Sequence, residues 1–245
     1  TMAKMFGLGT IINIFAIVCG GVLGTFFGKH LSKENQNALI SACGLCTLFI
    51  GIAGCLEQML KVEGTHLSSS GVMVIILSYA IGTLIGTIGK LEEKIEKFGE
   101  FLKAKANRQN DNNFITAFVV SSLTVCIGAM AVVGAIQDGI NQDISILLAK
   151  SVLDFVIILI LTASLGIGCA FSAIPVGIFQ GSITLLAVFI EPVLTSKALD
   201  YLSMTGSILI FCVGVNLIFG KKFEVANKLP VLLVAVLFAY LPWFN

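Results

Sequence analysis

The sequence predicts an all-α, polytopic integral membrane bundle of about eight transmembrane helices, and three observations predict it. Hydrophobic residues make up 57% of the chain and charged residues only 12%, about half the charge of a soluble domain. The apolar residues gather into windows close to the ~20 residues that cross a bilayer: 8–28, 38–60, 71–89, 114–136, 144–169, 173–190, 199–220 and 229–243. The segments between them are too short to fold alone, so 1–245 reads as a single transmembrane domain. Seven spans plus a re-entrant segment is the alternative count, because the turn between the fifth and sixth windows is short.

The first window is too long for a cleavable signal and is expected to persist as a helix. One of its faces reads Thr10, Asn13, Ile17, Gly20, Gly24 at helical spacing. The row Gly20–Gly21–Gly24–Gly28, like Gly82–Gly86–Gly89 in the third window, suits close helix pairing within or between subunits. The second window carries Ser41, Gly44, Leu48, Gly51, Cys55 and Gln58 on one face. Segment 90–113 follows the third window, with Leu91, Ile95, Phe98 and Leu102 on one side and Glu93–Lys97 as a supporting pair. That pattern predicts a cytoplasmic amphipathic linker on the inner membrane surface.

The fourth window presents Ser121, Thr124, Gly128, Ala131 and Ala135, and runs on to Gln137-Asp138-Gly139. Gly128, Ala131 and Gly134 are expected to meet another helix rather than lipid. In the fifth, Lys150 and Asp154 share a face with Ile157, Leu161, Ser164 and Gly168. The sixth opens Ser172-Ala173-Ile174-Pro175-Val176-Gly177 and continues to Gln180-Gly181-Ser182, a composition that fits a broken or re-entrant helix as well as a plain one. Its polar face is Gln180, Thr184, Ala187 and Glu191. The seventh carries Asn216 near its inner end.

Shifting the chain by 80 residues aligns Ser41 with Ser121, Cys46 with Cys126, Gly54 with Gly134 and Gly86 with Gly166, an internal repeat relating spans two and three to four and five. A shift of 163 residues pairs Gly51 with Gly214, which would relate spans of opposite direction instead. Orientation follows from Lys and Arg placement. Eleven of the fifteen fall in one set of loops, leaving Lys4, Lys61, Lys150 and Lys197, and this places both termini outside.

Function classes narrow by residue chemistry. All seven cysteines fall within spans, so they staple no loop and read as small packing residues, Cys43-x-x-Cys46 included. His30 and His66 are predicted on opposite sides. With no HExxH, no GxSxG and no metal-spaced acids, no enzyme is expected and no cofactor or metal is named. A net charge of +1 gives no sign of a nucleic-acid partner.

What remains is charge inside hydrocarbon, which a membrane chain excludes or uses. Asn13, Asp138, Lys150 and Asp154 are expected to surround an outward-facing vestibule, with Gln180 beneath. These five form the candidate binding site for a small solute, an ion or a proton, in a transporter or channel lodged in the lipid bilayer. A non-transporting scaffold or assembly partner is the alternative, and the glycine rows would suit a homo-oligomer.

The segments Gly9-Thr10-Ile11-Ile12-Asn13, Cys126-Ile127-Gly128-Ala129-Met130 through Gly134 and Asp138-Gly139, Lys150-Ser151-Val152-Leu153-Asp154, and Gln180-Gly181 carry a resemblance. Together they resemble the YqgA/YdfK-like family of bacterial inner-membrane proteins of unknown function, over essentially the whole chain. The resemblance implies a compact prokaryotic membrane protein without a soluble domain, and it implies no substrate.

Overall fold

A computed structural model describes residues 7–63, 66–109, 111–126, 129–192 and 194–242. In chain order it holds α1 (Leu8–Gly28), α2 (Lys33–Met59), β1 (Leu60–Glu63), β2 (His66–Ser69), α3 (Val72–Ile88), α4 (Leu91–Lys105), α5 (Phe114–Cys126), α6 (Ala129–Asn141) and α7 (Ser145–Leu165). A 3-10 segment, Ile167–Ser172, leads to α8 (Ala173–Leu185) and α9 (Ala187–Ile190), then α10 (Ser196–Phe219), a 3-10 turn at Ala226–Lys228 and α11 (Pro230–Phe238). The protein is therefore a helical membrane protein that also carries, among the described residues, a small antiparallel hairpin in which Leu60 pairs with Ser69 and Glu63 with His66.

Among the described residues, five helical segments are long and apolar enough to cross a bilayer, rising to seven if each of two bent pairs is one span. The difference from eight lies in three places. The fourth window is bent by 61° between α5 and α6. The third bends by 53° where α3 gives way to α4. The eighth is the short apolar helix Ala226–Phe238, about 20 Å long against a hydrocarbon core of about 30 Å.

The helices pack into two compact units, one of 1–43, 95–126 and 130–192, the other of 44–94, 127–129 and 193–245. In the first unit α1 and α7 run parallel in close contact. A Cβ added at Gly9 would meet Leu147, one at Gly20 would lie 2.6 Å from the Phe155 carbonyl oxygen, and one at Gly28 2.6 Å from that of Ala163. The predicted face Thr10, Asn13, Ile17, Gly20, Gly24 is the buried one, while Ile11, Phe15, Val22 and Phe26 are exposed on the other side, as lipid-facing residues must be. The α1 glycine row is thus taken up inside the chain. Ala131 and Gly134 pack as expected, Ala131 being buried and a Cβ on Gly134 meeting Leu147 and Ile146; Gly128 lies outside the described residues.

Helix α7 stops at Gly166, whose φ of +103° favours glycine, and the chain reverses through the 3-10 segment. Helix α8 then runs antiparallel to α1, with Thr10 facing Thr184, Asn13 facing Gln180 and Ile14 beside Gly177. It is an unbroken helix through Gly177 and Gly181, and its interruption comes later, at Leu186 before α9.

Helix α4 forms where the amphipathic pattern places it, but Ile95 and Leu102 cover Phe114 and Phe118 at the start of α5. The apolar face has found protein before lipid. Leu102→Ala is expected to cost about 2–3 kcal/mol, read as faster proteolysis within 91–105.

In the second unit, small residues again mark the contacts. Gly51 of α2 abuts Ser207 and Phe211 of α10, while Gly82 and Gly86 of α3 abut Val231 and Asn227. Glu92 is buried at one end of this unit. Its carboxylate accepts from the Ala226 amide at 2.8 Å and pairs with Lys221 at 3.1 Å. Asn227 returns the bond, its Oδ1 accepting from the Glu92 amide at 2.9 Å.

A candidate intramembrane polar site

The site lies wholly within the first unit. Asp154 is the tenth residue of α7, about 13–15 Å along that helix from its start. Lys150 is one turn earlier on the same face. Its Nζ donates to Asp154 Oδ1 at 2.9 Å and Oδ2 at 2.8 Å, and both side chains are nearly closed to solvent, at 9% and 4% exposure. The ammonium's third contact is the carbonyl oxygen of Val125 at 2.8 Å. Val125 sits in the last turn of α5, where carbonyls lose their intrahelical partners. A lysine from one helix thus caps the negative end of another, next to its 61° bend.

Two amides complete the cluster. Asn13 Nδ2 donates to Asp154 Oδ2 at 3.0 Å and to Gln180 Oε1 at 3.2 Å. The carboxylate accepts only, so it fixes which way the Asn13 amide points, and Asn13 in turn fixes Gln180. This order leaves Asn13 Oδ1 and Gln180 Nε2 without a partner among the described residues, on two residues with no exposed surface. An orphaned buried acceptor and donor are costly, and the arrangement can bind something small and polar.

Of the five residues that the sequence singles out, four therefore meet: Asn13, Lys150, Asp154 and Gln180. Asp138 is also buried but is engaged elsewhere. Its Oδ2 accepts from the Gly9 amide at 3.0 Å, about one turn before Asn13, where a carboxylate complements the positive end of α1. Behind it, Gly139 permits close approach to the Thr184 carbonyl. These residues are closed to solvent rather than open to the expected vestibule, with α1 packed on α7 at Gly9 against Leu147 on one side of the pair and at Gly20 against Phe155 on the other. Just outside the spans, Asp143 Oδ1 accepts from the Ser145 hydroxyl and amide, which holds its carboxyl below the usual range.

Sequence reasoning missed the Val125 carbonyl, since a backbone acceptor has no residue code. It also passed over Glu92, although an acid that opens a helix between two apolar segments is a recognisable signal. Asn216, near the inner end of the seventh window, organises a turn, accepting from the amides of Lys222 and Phe223 and donating to the Phe223 carbonyl. Among the described residues no group of three or more His, Cys, Asp or Glu side chains is placed to hold a metal.

Residues 8–240, which include the whole cluster, match the family model described as protein of unknown function (DUF554). The chain belongs to the DUF554 family. Two relatives are similar along almost their whole length. The uncharacterized membrane protein YdfK of Bacillus subtilis (strain 168) is 30% identical over 227 residues, which is 92% of this chain and 93% of the relative. The uncharacterized protein YqgA of Escherichia coli (strain K12) is 31% identical over 243 residues, 97% of this chain and 99% of the relative. No solved structure matches. DUF554 membership thus agrees with a membrane protein, and the functional argument rests on the cluster.

Proposed function

We propose that this protein moves a small solute or ion across the bacterial cytoplasmic membrane, with the Asn13–Lys150–Asp154–Gln180 cluster as its binding site. One observation carries the reading: an ion pair deep in a spanning helix, joined to two amides whose remaining polar atoms have no partner among the described residues. Charges at such depth are costly, and apolar residues would join the same helices with less penalty. A polar group left incomplete inside a membrane is suited to a ligand.

We place both termini outside, as basic-residue placement requires. The parallel packing of α1 and α7 needs an odd number of crossings between them, which α2, α3 and the bent α5–α6 pair supply, and both ends fall on one side when the short helix Ala226–Phe238 crosses as well. Cysteines introduced at Gln109 and Gln142 are expected to label from the inside and the outside respectively. Labelling of Gln109→Cys by an impermeant reagent from outside reverses the orientation.

The test of transport is flux. Vesicles loaded with a pH dye and challenged in turn with gradients of sodium, potassium, phosphate and amino acids are expected to report movement in the wild type. Asp154→Asn is expected to keep the fold and change that flux. The closure of the pair favours a second reading, a scaffold whose polar groups only join helices. That reading requires no flux in any gradient, with the polar substitutions lowering stability alone.

A further inference from the structure

The Lys150 ammonium has three neighbours, and all are oxygens: both carboxylate oxygens of Asp154 and the Val125 carbonyl, at 2.8–2.9 Å. Such a set would hold a free cation equally well. A carboxylate supplies the charge, and the C-terminal end of a half-helix supplies an oriented dipole, as at ion sites built on interrupted membrane helices. A separate observation points the same way. Asn13, which anchors Asp154, carries an oxygen acceptor, Oδ1, that is buried and has no partner among the described residues. Removing the ammonium would leave the Asp154–Asn13–Gln180 network still bonded to itself. Lys150 is also the more exposed of the pair, near the start of α7, where a long stem allows its head to withdraw toward the membrane surface.

We propose that the Asp154 carboxylate and the Val125 carbonyl form a site for a monovalent cation of ammonium or potassium size, and that the Lys150 ammonium occupies it in the closed conformation. The proposal rests on the transport reading above and names its cargo or coupling ion. One positive charge replaces another, so the site stays neutral through the exchange and no charge is left buried. The two Asp154 oxygens and the Val125 carbonyl stand 2.8–2.9 Å from the Lys150 nitrogen, a spacing that suits a cation of ammonium size and is longer than the distances of about 2.3–2.6 Å for calcium or about 2.0–2.1 Å for magnesium.

The experiment uses purified full-length protein in detergent, at constant ionic strength set with N-methylglucamine chloride. Lys150→Ala, which opens the site, is expected to be stabilised by potassium or methylammonium chloride by about 5–10 °C at a hundredfold excess over Kd. N-methylglucamine, too large to enter, is expected to have no such effect, and Lys150→Ala combined with Asp154→Asn to show no response to either ion. Equal unfolding midpoints for Lys150→Ala in all three salts overturn the proposal. Should the alanine variant fail to fold, binding of radioactive rubidium to the wild type decides. Binding that potassium displaces and Asp154→Asn abolishes upholds the site, and no binding overturns it. The two readings separate cleanly: salt-independent variants in a protein with Asp154-dependent flux remove the cation and keep transport, whereas cation binding without flux in any gradient keeps the site and removes transport.

Discussion

Lys150→Met is expected to lower stability by about 3–5 kcal/mol in N-methylglucamine chloride, the cost of leaving a buried carboxylate without its cation. The Asp154 carboxylate would keep only the Asn13 amide, and the Val125 carbonyl would face it across the gap. Asp154→Asn alone is expected to cost less, because a lysine can carry its charge outward along the stem while a short carboxylate cannot. The double variant, Lys150→Met with Asp154→Asn, is expected to recover most of the loss, since no unpaired charge remains inside. Denaturant or thermal unfolding of the four proteins gives the coupling directly. Additive losses would show that the two side chains do not act as a pair. Recovery of stability without recovery of flux would assign the pair to transport, and recovery of both would show that it serves only to join helices.

Gly20→Leu is expected to cost about 3 kcal/mol or more, at the upper end for overpacking, and to reduce the yield of monodisperse protein. At this position the first side-chain atom would already meet the Phe155 carbonyl oxygen at 2.6 Å and the Leu159 amide nitrogen at 3.3 Å. Backbone cannot move aside as a flexible side chain can, so α1 and α7 would have to part. Val22→Leu, on the exposed side of the same helix, is the control and is expected to change little. Equal unfolding midpoints for Gly20→Leu and the wild type would show that the two helices do not touch along this seam.

Much of this arrangement was legible before any coordinates. The stripe from Thr10 to Gly24 and the face from Lys150 to Ser164 obey a helical period, and in a membrane chain polarity and small size both mark the side turned away from lipid. Other features left no trace in residue types. The bend between α5 and α6 falls within an unbroken apolar run, and hydropathy cannot distinguish one bent span from one straight span. Asp138 was grouped with Asp154 because both are acids near the same end of the bundle, yet its partner is the Gly9 amide. The linker face of Ile95 and Leu102 shows the same ambiguity, since an apolar stripe next to a membrane is equally consistent with lipid and with a neighbouring helix such as α5.

The glycine seam also decides which parts of the first unit are free to move. With Gly20, Gly24 and Gly28 bringing one backbone against the other, sliding α1 past α7 would break contacts along the whole length of both helices at once. The two behave mechanically as a single beam carrying Asn13, Lys150 and Asp154. Helix α8 is different, flanked by Gly166 and the 3-10 segment on one side and by the interruption at Leu186 on the other. It contributes Gln180 to the cluster, bonded to Asn13, and meets α1 again where Thr184 faces Thr10. The charge pair therefore sits on the α1–α7 beam, and α8 adds the Gln180 amide from an element bounded by a break at each end.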